Sequence, residues 1–387
     1  MCILSKYYDY IIYFIFIEVF LYWRMVETKI IRIDPFNIDR DLLREASLII
    51  QRGGLVAFPT ETVYGLGADV FNTEALKRIF AVKRRPMDNP LIIHICRKED
   101  VYKVAEEVPK EVIKLIDKMW PGPLTLILRK SKEIPYEATG GLDTVAVRMP
   151  AHPVALEFIC LSDTYVAAPS ANISGRPSPT KADHVIRDFY GEIEAIIDSG
   201  ETLFGIESTI LNILTDPPTL LRPGAYPVEL IIEIIGKEIY IPPFAKGFGE
   251  AERALAPGTR YRHYAPSTPL VLIESSNYLI EDLNRLVNEI SSRVINDLRG
   301  GKRVAIIASR ETIDKYRDLL RNYSNVIIIN IGSRNNLYEI AKKIFDTLRS
   351  LDDLNIDIAY IEGFEERGIG LSVMNRIRKA STQRIRI

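Results

Sequence analysis

Between Arg40 and Gly53 apolar side chains recur at Leu42, Leu43, Ala46, Ile49 and Ile50, the three- and four-residue spacing of one helix face. Short apolar runs at Ile30–Ile33 and Leu55–Phe58 read as the strands on either side. The spacing predicts a second helix over Thr73–Ala81, where Leu76, Ile79 and Phe80 share a face and Thr73 serves as N-cap. Pro86 bars that helix from continuing, and Leu91–Ile95 reads as a buried strand. The alternation goes on with a helix near Val112–Met119, strands near Leu124–Leu128 and Thr144–Arg148, a helix over 153–160 and a strand over 164–168. A helix over 181–190 and strands over 194–198 and 209–213 complete the unit. Mixing of the two periods predicts an α/β fold with a twisted sheet that is not purely parallel.

Residues 236–268 break both periods with Pro242-Pro243, Gly247, Gly249 and Pro257-Gly258, and end in the basic, aromatic run Arg260–Pro266. Composition alone makes this a linker. A second alternation then begins, with strands at Leu270–Glu274, Arg303–Ala308, Asn325–Asn330 and Asp357–Ile361 and helices near 279–299, 311–322 and 336–351. Regular βα alternation predicts a smaller, doubly wound, Rossmann-like domain. Gly363, Gly368 and Gly370 match no phosphate-loop spacing and read as turn glycines, and neither GxGxxG nor a Walker loop occurs.

The first 24 residues stand apart. Ile11–Ile17 and Val19–Trp23 are apolar but broken by Glu18, and a bilayer span needs about 20 apolar residues. Two readings stay open, a translated upstream segment ahead of a working start at Met25, or an interfacial anchor; a signal peptide lacks its small-residue cleavage site. A length of 387 residues suits two cores. Lys and Arg number 50 against 51 Asp and Glu, a balance that argues against a protein coating nucleic acid or an anionic membrane. Cys2, Cys96 and Cys160 form no CxxC pair, and His94, His152, His184 and His263 lack metal-ligand spacing. The expectation is therefore no disulfide framework, no zinc site and a reducing, cytoplasmic setting.

Two segments carry candidate chemistry. Lys83-Arg84-Arg85-Pro86 places three cations where a helix gives way to a strand; such cations can complement the helix dipole or meet a ligand. Ala167–Thr180, with Ser170, Asn172, Ser174, Gly175 and Ser178, follows a short strand and offers small donors to an anion, though such clusters are also ordinary loops. Together, Lys83-x-Arg85 and Ser170-x-Asn172 resemble the KxR…SxN signature of the Sua5/YrdC family. Further stretches agree with it: Phe58-Pro59-Thr60-Glu61-Thr62-Val63-Tyr64-Gly65, Trp120-Pro121-Gly122-Pro123, Val147-Arg148-Met149-Pro150, Glu207-Ser208-Thr209-Ile210 and Leu221-Arg222-Pro223-Gly224. The resemblance runs from about Ile30 to the C-terminus, in the long two-domain form of the family.

That resemblance implies a YrdC-like catalytic domain over 28–235, a linker over 236–268 lying across the nucleotide pocket, and a Sua5-type C-terminal domain over 269–387. It implies synthesis of threonylcarbamoyl-AMP and pyrophosphate from L-threonine, bicarbonate and ATP, for the N6-threonylcarbamoyladenosine modification of tRNA. Lys83 and Arg85 would be the catalytic cations on the triphosphate, Arg85 as a planar fork and Lys83 as a point charge. Asn89, Thr144, Ser170, Asn172, Ser178, Arg222 and Tyr264 would complete the ATP side. Thr62, His94, Arg148 and Ser208 would form the L-threonine side, with Arg148 taking the carboxylate. Few carboxylates accompany these groups, so no metal site is expected on the protein, and Mg2+ would ride on phosphates and water. The product would pass to a tRNA threonylcarbamoyl transferase, with at most weak binding of tRNA and no membrane contact. Three other readings remain. An RNA-binding module would show a steep salt dependence. A hydrogenase-maturation carbamoyltransferase would need acylphosphatase-like and cysteine-rich zinc segments, and a riboflavin-pathway synthase an acidic metal cluster; neither set is visible in the sequence.

Overall fold

The computed structural model describes residues 26–260 and 264–387. The apolar leader 1–24, Met25 and His263 lie outside the described residues. The strands are β1 (Lys29–Arg32), β2 (Val56–Phe58), β3 (Gly65–Asp69), β4 (Ile92–His94), β5 (Leu124–Arg129), β6 (Thr144–Arg148), β7 (Val166–Ala168), β8 (Ala195–Asp198), β9 (Thr209–Asn212) and β10 (Thr219–Arg222). Five more follow: β11 (Leu270–Glu274), β12 (Val304–Ser309), β13 (Val326–Gly332), β14 (Ile358–Glu362) and β15 (Gln383–Arg386). The helices are α1 (Arg40–Gln51), α2 (Thr73–Lys83), α3 (Val101–Val104), α4 (Lys110–Met119), α5 (Tyr136–Thr139), α6 (Pro153–Leu161), α7 (Ala182–Phe189), α8 (Val228–Ile235), α9 (Ile280–Arg299), α10 (Ile313–Leu320), α11 (Leu337–Asp353) and α12 (Gly370–Ala380).

Strands β1 to β10 build one sheet in the order β1-β8-β2-β3-β7-β4-β6-β5-β9-β10. It is mixed: β4 runs parallel to β6, whereas β7 runs antiparallel to both β3 and β4. Its central strands are short and apolar on both sides. Ile93, Leu126 and Val147 are fully buried, each contributing about 1.5–3 kcal/mol relative to exposure. Where α2 begins, the N-cap is Asn72, one residue ahead of the expected Thr73, and its side chain accepts from the Ala75 amide. In α1 the buried face is Leu43, Ala46, Ser47 and Ile50, while Leu42 turns outward.

Strands β11 to β15 form a separate, all-parallel sheet in the order β13-β12-β14-β11-β15. Alternate residues face opposite layers, as strand pleating requires. Leu270, Leu272, Ala305 and Ile307 pack with Ile344 and Phe345 of α11 and Val373 and Ile377 of α12. Val271, Ile273, Val304 and Ile306 pack with Leu286 and Ile290 of α9 and Tyr316 of α10. Val63, Ile206, Ala225 and Tyr264 join the α11–α12 layer, so the core of the second sheet runs directly into the first unit. Arg349 of α11 reinforces that seam by donating to Asp188 of α7 at 2.8 Å and to the Pro177 carbonyl at 2.7 Å.

Two further sequence expectations change. Gly370, read as a turn glycine, is the first residue of α12, and neither α12 nor β15 is among the predicted elements. Its Cβ position lies 1.9 Å from the Glu365 carbonyl oxygen, so that close approach needs glycine. The expectation of no disulfide also gives way. Cys96, just past β4, is bonded to Cys160 in the last turn of α6, with Cα atoms 5.5 Å apart across 64 positions. Sequence spacing carries no trace of a link that only the folded chain creates. Among the described residues, no helix is long and apolar enough to cross a membrane.

Candidate active site

The carboxyl end of β4 and of β6, the loop after β7, the β2–β3 loop and the loops around β9 and β10 converge on one cavity of about 50 Å³. Parallel register places His94 directly beside Arg148. His94 is buried, its Nδ1 3.1 Å from the Ile92 carbonyl oxygen and its ring edge-on to Phe58. Burial, followed by the Arg148 charge, pulls its pKa down to about 3, so His94 is neutral across the physiological range. Arg148 is buried as well. Its NH2 lies 2.7 Å from Glu61 Oε1 and its Nε donates to the Gly122 carbonyl at 3.4 Å.

The two halves of the basic and polar signature meet. Lys83 ends α2, and its Nζ donates to the Ser170 carbonyl at 2.6 Å and to that of Asn172, 87 and 89 positions away. Burial, then the Arg85 charge, holds the Lys83 pKa well below the usual lysine range. Ser170 Oγ donates to Asn172 Oδ1, and the Asn172 amide group donates to the carbonyls of Ile173 and Arg176 at 2.8 and 2.9 Å. Arg84 takes the left-handed cap position with φ 52° and is exposed, while Arg85 lines the cavity and donates to the Asn89 and Pro90 carbonyls. In the basic run the Lys83 side chain therefore ties the loop, the Arg84 backbone caps the helix, and the Arg85 side chain faces the cavity.

Across the cavity, Ser208 Oγ and Thr125 Oγ1 are 2.7 Å apart, and Arg222 NH2 donates to Ser208 Oγ at 3.2 Å. Arg222 NH1 donates to the Pro257 carbonyl of the linker at 3.1 Å. Burial lowers the Arg222 pKa, with Glu207 opposing it. Thr62 Oγ1 sits 2.7 Å from Thr60 Oγ1. Ser178 Oγ donates to Glu207 Oε1 at 2.7 Å. Burial favours the neutral acid at Glu207, but Arg376, Arg222 and the hydrogen bonds outweigh it and bring the pKa down to about 2. Tyr264 is buried on the other side of Glu207, its pKa pushed up to about 12 by burial and then by that carboxylate.

Of the residues singled out from sequence, Thr62, Lys83, Arg85, His94, Arg148, Ser170, Asn172, Ser178, Ser208, Arg222 and Tyr264 line this cavity. Asn89 and Thr144 do not. Asn89 is buried in the turn after α2, and Thr144 opens β6 opposite Arg129, four residues before Arg148 and so about 13 Å from it along the strand. Sequence reasoning passed over Glu61 and Glu207, although both stand inside quoted motifs as acids among cations and hydroxyls. Arg376 carried no signal, because its motif partners lie in the other half of the chain. Among the described residues, no group of three or more His, Cys, Asp or Glu side chains is placed to hold a metal ion.

Comparison with known proteins places this geometry. A family model described as telomere recombination, for Sua5, YciO and YrdC proteins, matches residues 48–224, and one described as the threonylcarbamoyl-AMP synthase C-terminal domain matches 227–382. The chain is 48% identical over 349 residues to a threonylcarbamoyl-AMP synthase of Pyrococcus abyssi, covering 90% of this chain and 96% of that protein. It is 40% identical over 354 residues to one of Bacillus subtilis, covering 91% and 96%. The crystal structure of P. abyssi Sua5 complexed with L-threonine superposes with a TM-score of 0.84 at 46% identity, over 93% of this chain and 100% of that one.

Proposed function

We propose the chemistry that follows on one premise: the chain belongs to the Sua5/YrdC family. It forms threonylcarbamoyl-AMP, with release of pyrophosphate, from L-threonine, bicarbonate and ATP, and the adenylate serves the N6-threonylcarbamoyladenosine modification of tRNA. The threonine nitrogen takes up the carbon of bicarbonate to give a carbamate, with loss of water. A carbamate oxygen then attacks the α-phosphorus of ATP, and the bond to the bridging oxygen of pyrophosphate breaks. The nucleophile is already anionic, so the task is to hold two repelling anions together rather than to supply a strong base.

The observation that carries this reading is the seating of Lys83 Nζ on the Ser170 and Asn172 carbonyls, which joins the two halves of the signature into one wall of the cavity. On that wall Arg85 takes the triphosphate, with Ser170, Asn172 and Ser178 as neutral donors and Arg222 beyond them. Opposite, Arg148 takes the threonine carboxylate, and neutral His94 with Thr62 and Ser208 surrounds the side chain. Glu207 is already engaged by Ser178 and Arg376, and Glu61 by Arg148. The donor set therefore does not fit a protein-held Mg2+, which would arrive and leave on phosphate oxygens.

Nucleotide pockets hold about 300–1,000 Å³, well above the roughly 50 Å³ present here. Pro257, Gly258 and Tyr264 line the cavity from the linker, and in this reading the linker moves aside for ATP and returns over it, keeping water from the adenylate. The product passes to a tRNA threonylcarbamoyl transferase, and the ATP requirement places the reaction in the cytoplasm. Arg85→Ala is the test. It should raise the ATP requirement of adenylate formation severely while the protein stays folded by circular dichroism; synthesis at the native ATP requirement contradicts the placement of the triphosphate.

A further inference from the structure

Arg376 belongs to α12 of the second unit, yet its guanidinium is fully buried against the first. Its Nε and NH2 both donate to Glu207 Oε2, at 3.0 and 2.8 Å, and its NH1 donates to the Pro223 carbonyl. The other carboxylate oxygen, Oε1, is the one that accepts from Ser178 Oγ. The guanidinium carbon also stands 5.6 Å from the centre of the Tyr264 ring. One turn further along α12, Lys379 Nζ donates to the Gly258 carbonyl, and one turn earlier Ser372 Oγ donates to the Gly224 carbonyl at 2.8 Å. Spacing of three and four residues puts Ser372, Arg376 and Lys379 on one helix face. A single face of α12 therefore holds the Ser178 loop, the Glu207–Ser208 segment and the linker at once.

From this geometry we propose that Arg376 is a positioning residue of the active site, acting through Glu207 on Ser178 and Tyr264, so that the second unit completes the nucleotide side of the cavity. This rests on the function proposed above. A buried carboxylate is costly unless paired and hydrogen-bonded. The two-pronged contact from Arg376 fixes which oxygen faces it and leaves the other to orient Ser178. Arg222 is a second cation acting on Glu207. Without Arg376, the Glu207 charge draws the Arg222 NH1 away from the Pro257 carbonyl of the linker, to which it now donates. Loss of Arg376 thus displaces two groups on the nucleotide side and leaves His94 and Arg148 where they are.

The test uses the full chain with Arg376→Lys, Arg376→Met and Ser178→Ala, each with KM and kcat for ATP and for threonine and a thermal midpoint. Arg376→Lys keeps a charge for Glu207 and is the variant that safeguards folding. By analogy with the outer-shell partners of metal ligands, which are worth about 10–100-fold, the KM for ATP should rise by about that factor in Arg376→Met and by less in Arg376→Lys, with the KM for threonine little changed. If the effect runs through Glu207 and Ser178, Arg376→Lys should cost much less in a Ser178→Ala background than in the native chain. A folded Arg376→Lys with native ATP kinetics, an equal effect on both substrates, or simple multiplication with Ser178→Ala overturns the proposal. Should Arg376→Met fail to fold, the lysine variant alone decides. A native chain that makes no adenylate contradicts the function rather than the clamp, which is then read from the rise in thermal midpoint given by a non-hydrolysable ATP analogue. That rise should shrink in Arg376→Lys, and an unchanged rise overturns the clamp.

Discussion

Arg148 NH2 and Glu61 Oε1 lie 2.7 Å apart, with side-chain exposures of only 4% and 5%. The cation proposed for the substrate carboxylate therefore enters the reaction already paired with a carboxylate of the protein. In the proposed complex the threonine carboxylate would therefore meet the guanidinium away from the NH2 that faces Glu61.

Removing one member of a buried pair leaves an uncompensated charge worth about 3–5 kcal/mol of stability. Arg148→Ala should accordingly destabilise the fold and depress turnover of threonine, serine and valine alike. Adding Glu61→Gln to Arg148→Met should restore much of the thermal midpoint and none of the activity. Melting curves together with pyrophosphate release separate the two effects; activity that returns with stability removes Arg148 from the substrate site.

Arg84 and Arg85 make a second contrast. The left-handed conformation at Arg84 suits glycine, so Arg84→Gly should hold or raise stability, by at most about 1–2 kcal/mol, and leave ATP use intact. Arg85→Ala should raise the ATP requirement severely with little change in fold. Equal losses from the two substitutions would make the run a diffuse patch of charge.

His94 sets the pH dependence. Its folded pKa of about 3 lies below the ordinary 6.5, so between those values the unfolded chain binds a proton that the native chain refuses. Stability then falls as pH drops, by up to about 1.4 kcal/mol per pH unit in that window. Glu207, depressed from 4.5 to about 2, adds a further loss as pH falls below about 4.5. Denaturant titrations of the native chain and of His94→Gln at pH 7 and pH 5 should show the variant losing less, by about 2 kcal/mol. Parallel losses would mean that His94 is protonated in the fold.

Threonine selection should be unequal. Valine leaves a hydroxyl-binding group unpaired in a closed site, whereas serine lacks one methyl, worth about 1–3 kcal/mol. Discrimination should be strong against valine and modest against serine. Ser208→Ala or His94→Ala should narrow the threonine-to-valine ratio of kcat/KM; an unmoved ratio in both places the hydroxyl elsewhere.

What the sequence disclosed follows a physical divide. Arg148 was legible because a short apolar strand, Val145-Ala146-Val147, ends on it, and such a strand delivers its last side chain to a sheet edge. Lys83 and Arg85 were legible because a proline stops their helix. Their neighbours were not: Glu61, Glu207 and Arg376 acquire meaning from partners 87, 29 and 169 positions away, distances that no periodicity spans. The helix carrying Arg376 was hidden because Gly363, Gly368 and Gly370 read as turns, when Gly370 is small so that α12 can start against the Glu365 carbonyl. The same holds for Cys96 and Cys160, brought together only by the packing of α6 beside β4.

The most direct measurement incubates the full chain with ATP, L-threonine and isotopically labelled bicarbonate. Pyrophosphate should appear together with an acid-labile adenylate that carries the label, and both should require all three substrates. Pyrophosphate release indifferent to threonine, or an adenylate without label, contradicts threonylcarbamoyl-AMP synthesis by this cavity.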